Sequence, residues 1–373
     1  MRVFEGERCQ LLLPSRVAVV AAGADEVLFH GVIDRPLLEA ERGGLRLGPW
    51  RGRGPVDLFL SPLSNGDESD GRDRDSSAGL GLVIDGDERR FRGSFRLSAY
   101  DGGVEVINRL SLEEYLVGVV AAEMPLSYPA AALQAQAIVA RTFAVYELLW
   151  ARDHGGVRPF DATTSFQVYR GVRPSEGRAV EAVVETAGEI LVHDGRLFRT
   201  YFHSTCGGRT LAACRVFGDA SIPPLEGTDC AACVTSAYAA WEMRLDADQL
   251  TGALRDWVHD QDVALDVVRG LELERDEDGR VQTVRVYHES GGFVMRSQRF
   301  RRLLSEAGTP FRSSSFDVQC GEAGEFVFSG QGFGHRVGMC QVGAGQKAQR
   351  DNYRQILAHY YPGSDVHILE AFY

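Results

Sequence analysis

No stretch of this 373-residue chain is apolar for long enough to cross a membrane as a helix. The opening Met1-Arg2-Val3-Phe4-Glu5-Gly6-Glu7 also lacks the apolar core of an export signal, so either the protein stays in the cytoplasm or an export segment has been removed. Positive charge is in short supply. Lys and Arg total 40 against 52 Asp and Glu, a net charge of -12, and no basic stripe is sustained. That balance argues against a nucleic-acid partner or an anionic membrane surface and fits a neutral or cationic substrate. Internal repeats and a Gly-x-Ser-x-Gly elbow are missing, no pair of carboxylates stands out, and neither Gly-x-Gly run follows a strand as a nucleotide site requires.

At this length two or three modules with real cores are expected. Residues 1 to about 105 read as short β-type runs, among them Arg16-Val17-Ala18-Val19-Val20 and Glu26-Val27-Leu28-Phe29, divided by Gly-rich turns. Ser61 to Gly79 is nearly all Ser, Asp, Gly, Asn and Arg and reads as a mobile acidic loop. Phe91–Leu97 and Val104–Asn108 flank the turn Tyr100-Asp101-Gly102-Gly103, a hairpin signal. Ser127 as cap and Pro129 in the first turn predict a helix to about Arg152, apolar nearly all round and so buried on most faces. A second helix is expected from Ser175 to Thr186, then a hairpin around Asp194-Gly195. Leu245 to Arg312 carries its own helix, strands and helix, as an inserted subdomain would. The expected fold class is α+β: a β-rich region over residues 1–90, then a mixed domain over 91–373 with a long buried helix and a small insertion at about 245–312.

Four features point to chemistry. Glu123 follows an apolar run and precedes Met124-Pro125, where the helix must stop. Burial there would raise its pKa and make it a proton donor near neutral pH; the alternative is a helix-terminal carboxylate bonded to backbone N–H groups of the next helix. Gln134 and Arg141 stand two turns apart on one helix face, where a buried arginine needs a carboxylate or a ligand, unless both belong to a narrow solvated stripe with Glu147. Of seven cysteines, Cys206, Cys214, Cys230 and Cys233 cluster. Cys230-Ala-Ala-Cys233 has metal-knuckle spacing, and two further thiolates would close a structural zinc site without an open position. Two disulfides are the alternative, while Cys9, Cys320 and Cys340 fit no metal spacing and read as core or isolated thiols. Last, His335 sits among four glycines, which suggests a cleft wall, although a histidine in a turn is also a common structural residue. A cysteine nucleophile served by His203 or His335 has thin support.

The run Asn108-x-Leu110-x-Leu112-Glu113-x-Tyr115-Leu116-x-Gly118-Val119-Val120-x-x-Glu123-Met124-Pro125, followed by Ala131-x-x-Gln134-Ala135-Gln136-Ala137-x-x-Ala140-Arg141-Thr142-Phe143-Ala144, resembles the stage II sporulation protein D (SpoIID/LytB) family. Gln167-Val168-Tyr169, Tyr201-Phe202-His203-Ser204-Thr205-Cys206-Gly207-Gly208-x-Thr210, Gly332-Phe333-Gly334-His335-x-Val337-Gly338-Met339-x-Gln341-x-Gly343-Ala344 and Ile356-Leu357-x-His359-Tyr360-Tyr361-Pro362-Gly363 match in the same order, over roughly residues 91 to 373. The resemblance implies a peptidoglycan lytic transglycosylase that cuts between N-acetylmuramic acid and N-acetylglucosamine of denuded glycan strands, with Glu123 as the acid and no cofactor needed for the reaction. It also implies that Gln134, Arg141, Gln167, Tyr169, His203, Ser204, His335 and Gln341 are cleft residues. A metal near the His203-Ser204-Thr205 segment would favour zinc at the cysteines, and the site of action would be extracytoplasmic. A non-catalytic wall binder that stimulates a partner amidase is the second reading it offers, and a zinc-dependent hydrolase the third. Cys340 departs from the serine usual in the family, and residues 1–90 lie outside the match.

Overall fold

The computed structural model describes residues 1–13, 17–21, 27–31, 35–41, 44–53, 57–62, 79–100, 103–155, 160, 162, 166–173, 175–259, 265–308, 311–321 and 324–369. The expected acidic loop at 61–79 falls almost wholly outside them. The chain has an α+β fold, and it divides into two compact units: residues 1–190 with the segment from 368 onward, and residues 191–367.

The first unit begins as two six-stranded sheets. One runs in the order Arg2–Gly6, Gly103–Arg109, Ser94–Tyr100, Asp57–Pro62, Val17–Ala21, Val27–Gly31; the other runs Asp87–Phe91, Leu80–Ile84, Arg8–Leu12, Leu37–Glu41, Gly44–Leu47, Trp50–Arg53. All described pairings within them are antiparallel. Alternation explains the burial: in Ser94–Tyr100 the side chains of Phe95 and Leu97 point inward, joined by Val104 and Val106 from its hairpin partner and by Leu11, Leu38, Leu45 and Leu82. The domain boundary expected near residue 90 therefore runs through this β-region, because the hairpin from 94 to 109 pairs on both sides with strands that precede it.

The hairpin leads straight into helix α1, Leu112–Glu123. Ser111 caps it: its hydroxyl accepts from the Glu114 amide while the Glu114 carboxylate returns a bond to the Ser111 amide, a capping box. At the other end Met124 is extended, as a residue before proline prefers, so Glu123 is the last helical residue. Helix α2, Ala130–Asp153, follows. Its N-cap is Pro129, and Ser127 makes no capping bond, which corrects the expected start. A proline has no N–H to satisfy, so the first turn loses nothing there. Helix α3, Gly177–Glu185, packs with α1 and α2.

Gly118 is the close-approach point of α1. A Cβ built there would come within 2.4 Å of the edge of the Tyr169 ring. Tyr169 is buried and its hydroxyl is held by Asn108, so the ring has nowhere to go. We expect Gly118→Ala to destabilise the fold, because an overpacking cost of about 1–3 kcal/mol outweighs the roughly 1 kcal/mol of helix propensity that alanine gains. A urea midpoint at or above that of the parent would contradict this.

The second unit has its own core. Phe300, Phe311, Phe316, Phe326 and Phe328 pack with Trp241, Leu250, Leu254, Val281, Val284 and Val286. These come from the sheet Ala240–Asp246, Glu325–Gln331, Phe316–Cys320, the sheet Val268–Arg275, Val281–His288, Gly291–Arg296, and the helices Ala247–His259 and Ser297–Glu306. The stretch read as an insertion, about 245–312, thus shares one core with strands on both sides of it. Separately, Phe202–His203 pairs in parallel with Met339–Cys340, just before the helix Gln341–Lys347.

Candidate functional site

The candidate residues fall into two groups, one in each unit. In the first, Glu123 is half-buried and its Oε1 accepts the Val168 amide at 2.7 Å. The donor is a loop residue, not an amide of the next helix. Val168 is itself fixed from both sides. Gln167 is fully buried; its Oε1 accepts from the Tyr115 hydroxyl at 2.8 Å and its Nε2 donates to the Ala140 carbonyl at 3.3 Å. On the other side the Tyr169 hydroxyl donates to Asn108 Oδ1 at 2.9 Å, and the Asn108 amide donates to the Arg92 and Ser94 carbonyls. So the Gln-Val-Tyr segment is a rigid splint whose middle amide aims the carboxyl group. Arg173 adds a bond to the Ala121 carbonyl, satisfying one acceptor that the end of α1 leaves open. Burial, with the nearby Glu123 and Tyr169, pushes the Tyr115 hydroxyl well above its ordinary range and keeps it a donor. Burial likewise lifts Tyr169.

These contacts correct part of the expected cleft. Gln167 and Tyr169 support the Glu123 carboxyl group from inside the protein and are buried. Arg141 is wholly buried: Nε and Nη2 grip Glu113 at 2.8 and 2.7 Å, Nη1 donates to the Glu189 carbonyl and Nη2 to that of Val183. The acceptor its burial demanded is therefore a carboxylate of this chain, and each of its three nitrogens bonds within the protein. Gln134 is partly exposed and its Nε2 bonds Glu185 of α3 at 2.6 Å.

The second group lies on the Gly-rich loop and the strand paired with it. His203 is 4 % exposed; its Nδ1–H donates to the Val337 carbonyl at 3.0 Å, which leaves Nε2 with its lone pair, buried and without a hydrogen-bond partner among the described residues. His335 Nδ1 accepts the Val337 amide at 3.1 Å, so its proton is on Nε2. The two rings meet edge to face at 5.6 Å, and Tyr201 and Phe217, stacked at 4.5 Å, close the other side of His335. Burial lowers His203 to about 3 and His335 to about 4, so both are neutral at neutral pH. His335 keeps some surface at the solvent, yet its ring is surrounded by packed protein. Ser204 is partly exposed with its hydroxyl near that of Thr205, and Gln341 is buried at the start of the helix that follows.

A pH dependence follows from His335. The unfolded chain binds its proton near pH 6.5 and the folded one near about 4, so stability present above 6.5 is lost as the pH falls through that interval. The urea midpoint of the wild type should drop between pH 6.5 and 4 more steeply than that of His335→Gln; equal slopes would assign the loss elsewhere.

Of the cysteines expected to ligate a metal, Cys206, Cys230 and Cys233 come together, and Cys214 does not. Cys340 takes the fourth place, with all four sulfurs within 4.8 Å of one another. Cys214 is held in the short helix Ala213–Val216, whereas Cys340 is brought in by the parallel pairing of His203 with Cys340. Cys9 is a core residue and Cys320 is exposed.

Comparison with known proteins gives a family model, stage II sporulation protein, over residues 100–193, and a domain of unknown function over 228–338. An uncharacterized protein of Brachyspira hyodysenteriae is 33 % identical over 77 % of this chain and 74 % of its own. The stage II sporulation protein D of Bacillus amyloliquefaciens is 28 % identical over 71 % of this chain and 77 % of its own. The amidase enhancer of Bacillus subtilis is 25 % identical over 67 % of this chain but only 40 % of its own length.

Proposed function

The chain belongs to the stage II sporulation protein D family, and on that premise we propose that it is a peptidoglycan lytic transglycosylase with Glu123 as its acid and base. The observation that carries the reading is the placement of Glu123: a half-buried carboxyl group at a helix end, aimed by the Val168 amide, whose neighbours are locked into the core. A splint of that rigidity around a carboxyl group suits a reaction that needs one well-placed proton carrier.

The chemistry closes with that single group. The Glu123 carboxylic acid protonates the glycosidic oxygen between N-acetylmuramic acid and N-acetylglucosamine, and the C1–O bond breaks to an oxocarbenium-like centre. The muramyl C6 hydroxyl then bonds to C1 and returns its proton to the Glu123 carboxylate. The products are a 1,6-anhydromuramyl end and a free 4-hydroxyl on the other fragment, with the acid regenerated and no water consumed. A second carboxylate is not required, in keeping with a sequence in which no pair of carboxylates stands out. The substrate places the site of action outside the cytoplasm.

The test is to incubate the protein with denuded glycan strands and read the ends by mass spectrometry, where 1,6-anhydromuramyl ends are the expected product. Hydrolysed ends, or none, would overturn the reading. The relative named amidase enhancer supports a second one, in which the protein binds the wall and stimulates an N-acetylmuramoyl-L-alanine amidase. A rise in amidase rate that persists in Glu123→Gln, without anhydro ends from the wild type, would select it.

A further inference from the structure

Four thiols that the sequence scatters over 135 positions, from Cys206 to Cys340, are buried in one knot. We propose that Cys206, Cys230, Cys233 and Cys340 form a closed tetrathiolate site for a thiophilic divalent metal ion, zinc being the fitting one, which fastens the helix after the Gly-rich loop to the strand bearing His203.

The geometry fits such an ion. Around zinc with Zn–S near about 2.3 Å, a regular tetrahedron has sulfur–sulfur edges of about 3.8 Å. Here the sulfurs lie within 4.8 Å of each other, and the Cys206 and Cys233 sulfurs are 3.3 Å apart, far beyond the ~2.05 Å of a disulfide. The donor set is all sulfur, which selects zinc and its soft relatives over magnesium or calcium. Four protein ligands leave no position for water, so the role is structural.

Groups around the sulfurs are arranged for thiolates. The Cys206 and Gly343 amides point at Cys340 Sγ, at 3.4 and 3.3 Å, and the Tyr360 hydroxyl lies 3.1 Å from Cys230 Sγ. The guanidinium of Arg336, a buried side chain, interacts electrostatically with Cys206 and Cys233. A divalent ion with four thiolates carries a net charge of minus two, which this cation partly offsets. Gly343 marks how tightly the helix is drawn in: a Cβ there would come within 2.6 Å of Cys230 Sγ. The segments so joined are the loop at 228–236, the His203 strand end and the start of the Gln341–Lys347 helix, which have few backbone bonds to one another. Tying loops of this length is where a cross-link restricts the unfolded chain most.

The test reads the metal, not the glycan, so it can fail or succeed independently of the transglycosylase reading. Emission spectroscopy of the purified full chain should give one zinc per molecule, and thiol titration in denaturant with a chelator should give all seven cysteines free. Cobalt(II) exchanged into the wild type should show the intense visible bands and sulfur charge transfer of a tetrahedral thiolate site. Cys340→Ser should weaken metal binding by more than the ~10–100-fold typical of outer-shell changes, and Cys214→Ser should leave it unaltered. The proposal is overturned by a protein that takes up no metal with seven free thiols, by three free thiols from two disulfides, by iron with acid-labile sulfide, or by Cys214→Ser losing the metal while Cys340→Ser keeps it. Should Cys340→Ser not fold, the cobalt spectrum of the wild type still decides.

Discussion

Glu123→Gln should lower the formation of 1,6-anhydromuramyl ends by about 10²–10⁴-fold, the usual contribution of a positioned proton carrier, while leaving the fold intact. The amide is nearly the shape of the acid, and its carbonyl oxygen can still accept the Val168 amide that Glu123 Oε1 accepts now. What it cannot do is give up a proton to the glycosidic oxygen and take one back from the C6 hydroxyl. Mass spectrometry of glycan digests at matched protein concentration measures the loss, and circular dichroism with a urea midpoint checks the fold. Product from the variant within a few-fold of the wild type would remove Glu123 from the chemistry. A variant that unfolds would be replaced by Glu123→Asp, which keeps the proton but draws it back by one methylene.

Glu113→Ala should destabilise the protein by about 3 kcal/mol, the low end of the cost of stranding a buried charge. Arg141 is 0 % exposed and Glu113 is its one carboxylate partner among the described residues, held by two parallel bonds. Removing the carboxylate leaves a guanidinium with only the Glu189 and Val183 carbonyls. The full penalty is reduced because the Glu113 side chain is 40 % exposed and water can enter where it stood. Arg141→Met should cost less, since the Glu113 carboxylate left behind can be hydrated, and the double variant should recover part of the loss. Urea melts of the four proteins give the coupling. Kinetic assay of folded Arg141→Met should give unchanged turnover and KM, whereas a loss of substrate binding at unchanged stability would return Arg141 to the cleft.

The setting of Glu123 at a helix end was the most legible part of the candidate site. A glutamate that closes an apolar helix ahead of Met-Pro is visible in sequence because proline stops the helix at a fixed residue and the apolar run dictates burial. Burial of Arg141 could be read as well, along with its need for an acceptor, but the identity of that acceptor could not: Glu113 is 28 residues away and meets it only because α1 packs on α2. Family resemblance alone makes Gln167 and Tyr169 cleft residues; in the structure they hold the Val168 amide, whose role leaves no trace in a side chain. Cys214 and Cys340 were exchanged for a related reason. Spacing in sequence is a local ruler, and it served for Cys230 and Cys233, which share one tight turn. Cys340 enters through a parallel strand pairing that brings it beside His203, and the one hint of it was a cysteine where the family pattern led us to expect serine.

Sequence alone thus determined what local forces determine: the α+β class, the stop of one helix at Glu123, the alternating strands, and the family through runs of motif in fixed order. Tertiary structure decided which buried polar groups serve the interior and which form candidate sites, the ring of four cysteines, and the sharing of one core between residues 245–312 and the strands that flank them. The division has a physical cause. Helix stops, caps and strand alternation depend on neighbours along the chain, whereas a hydrogen bond to a distant amide or a fourth sulfur exists only after long-range packing has set the distance.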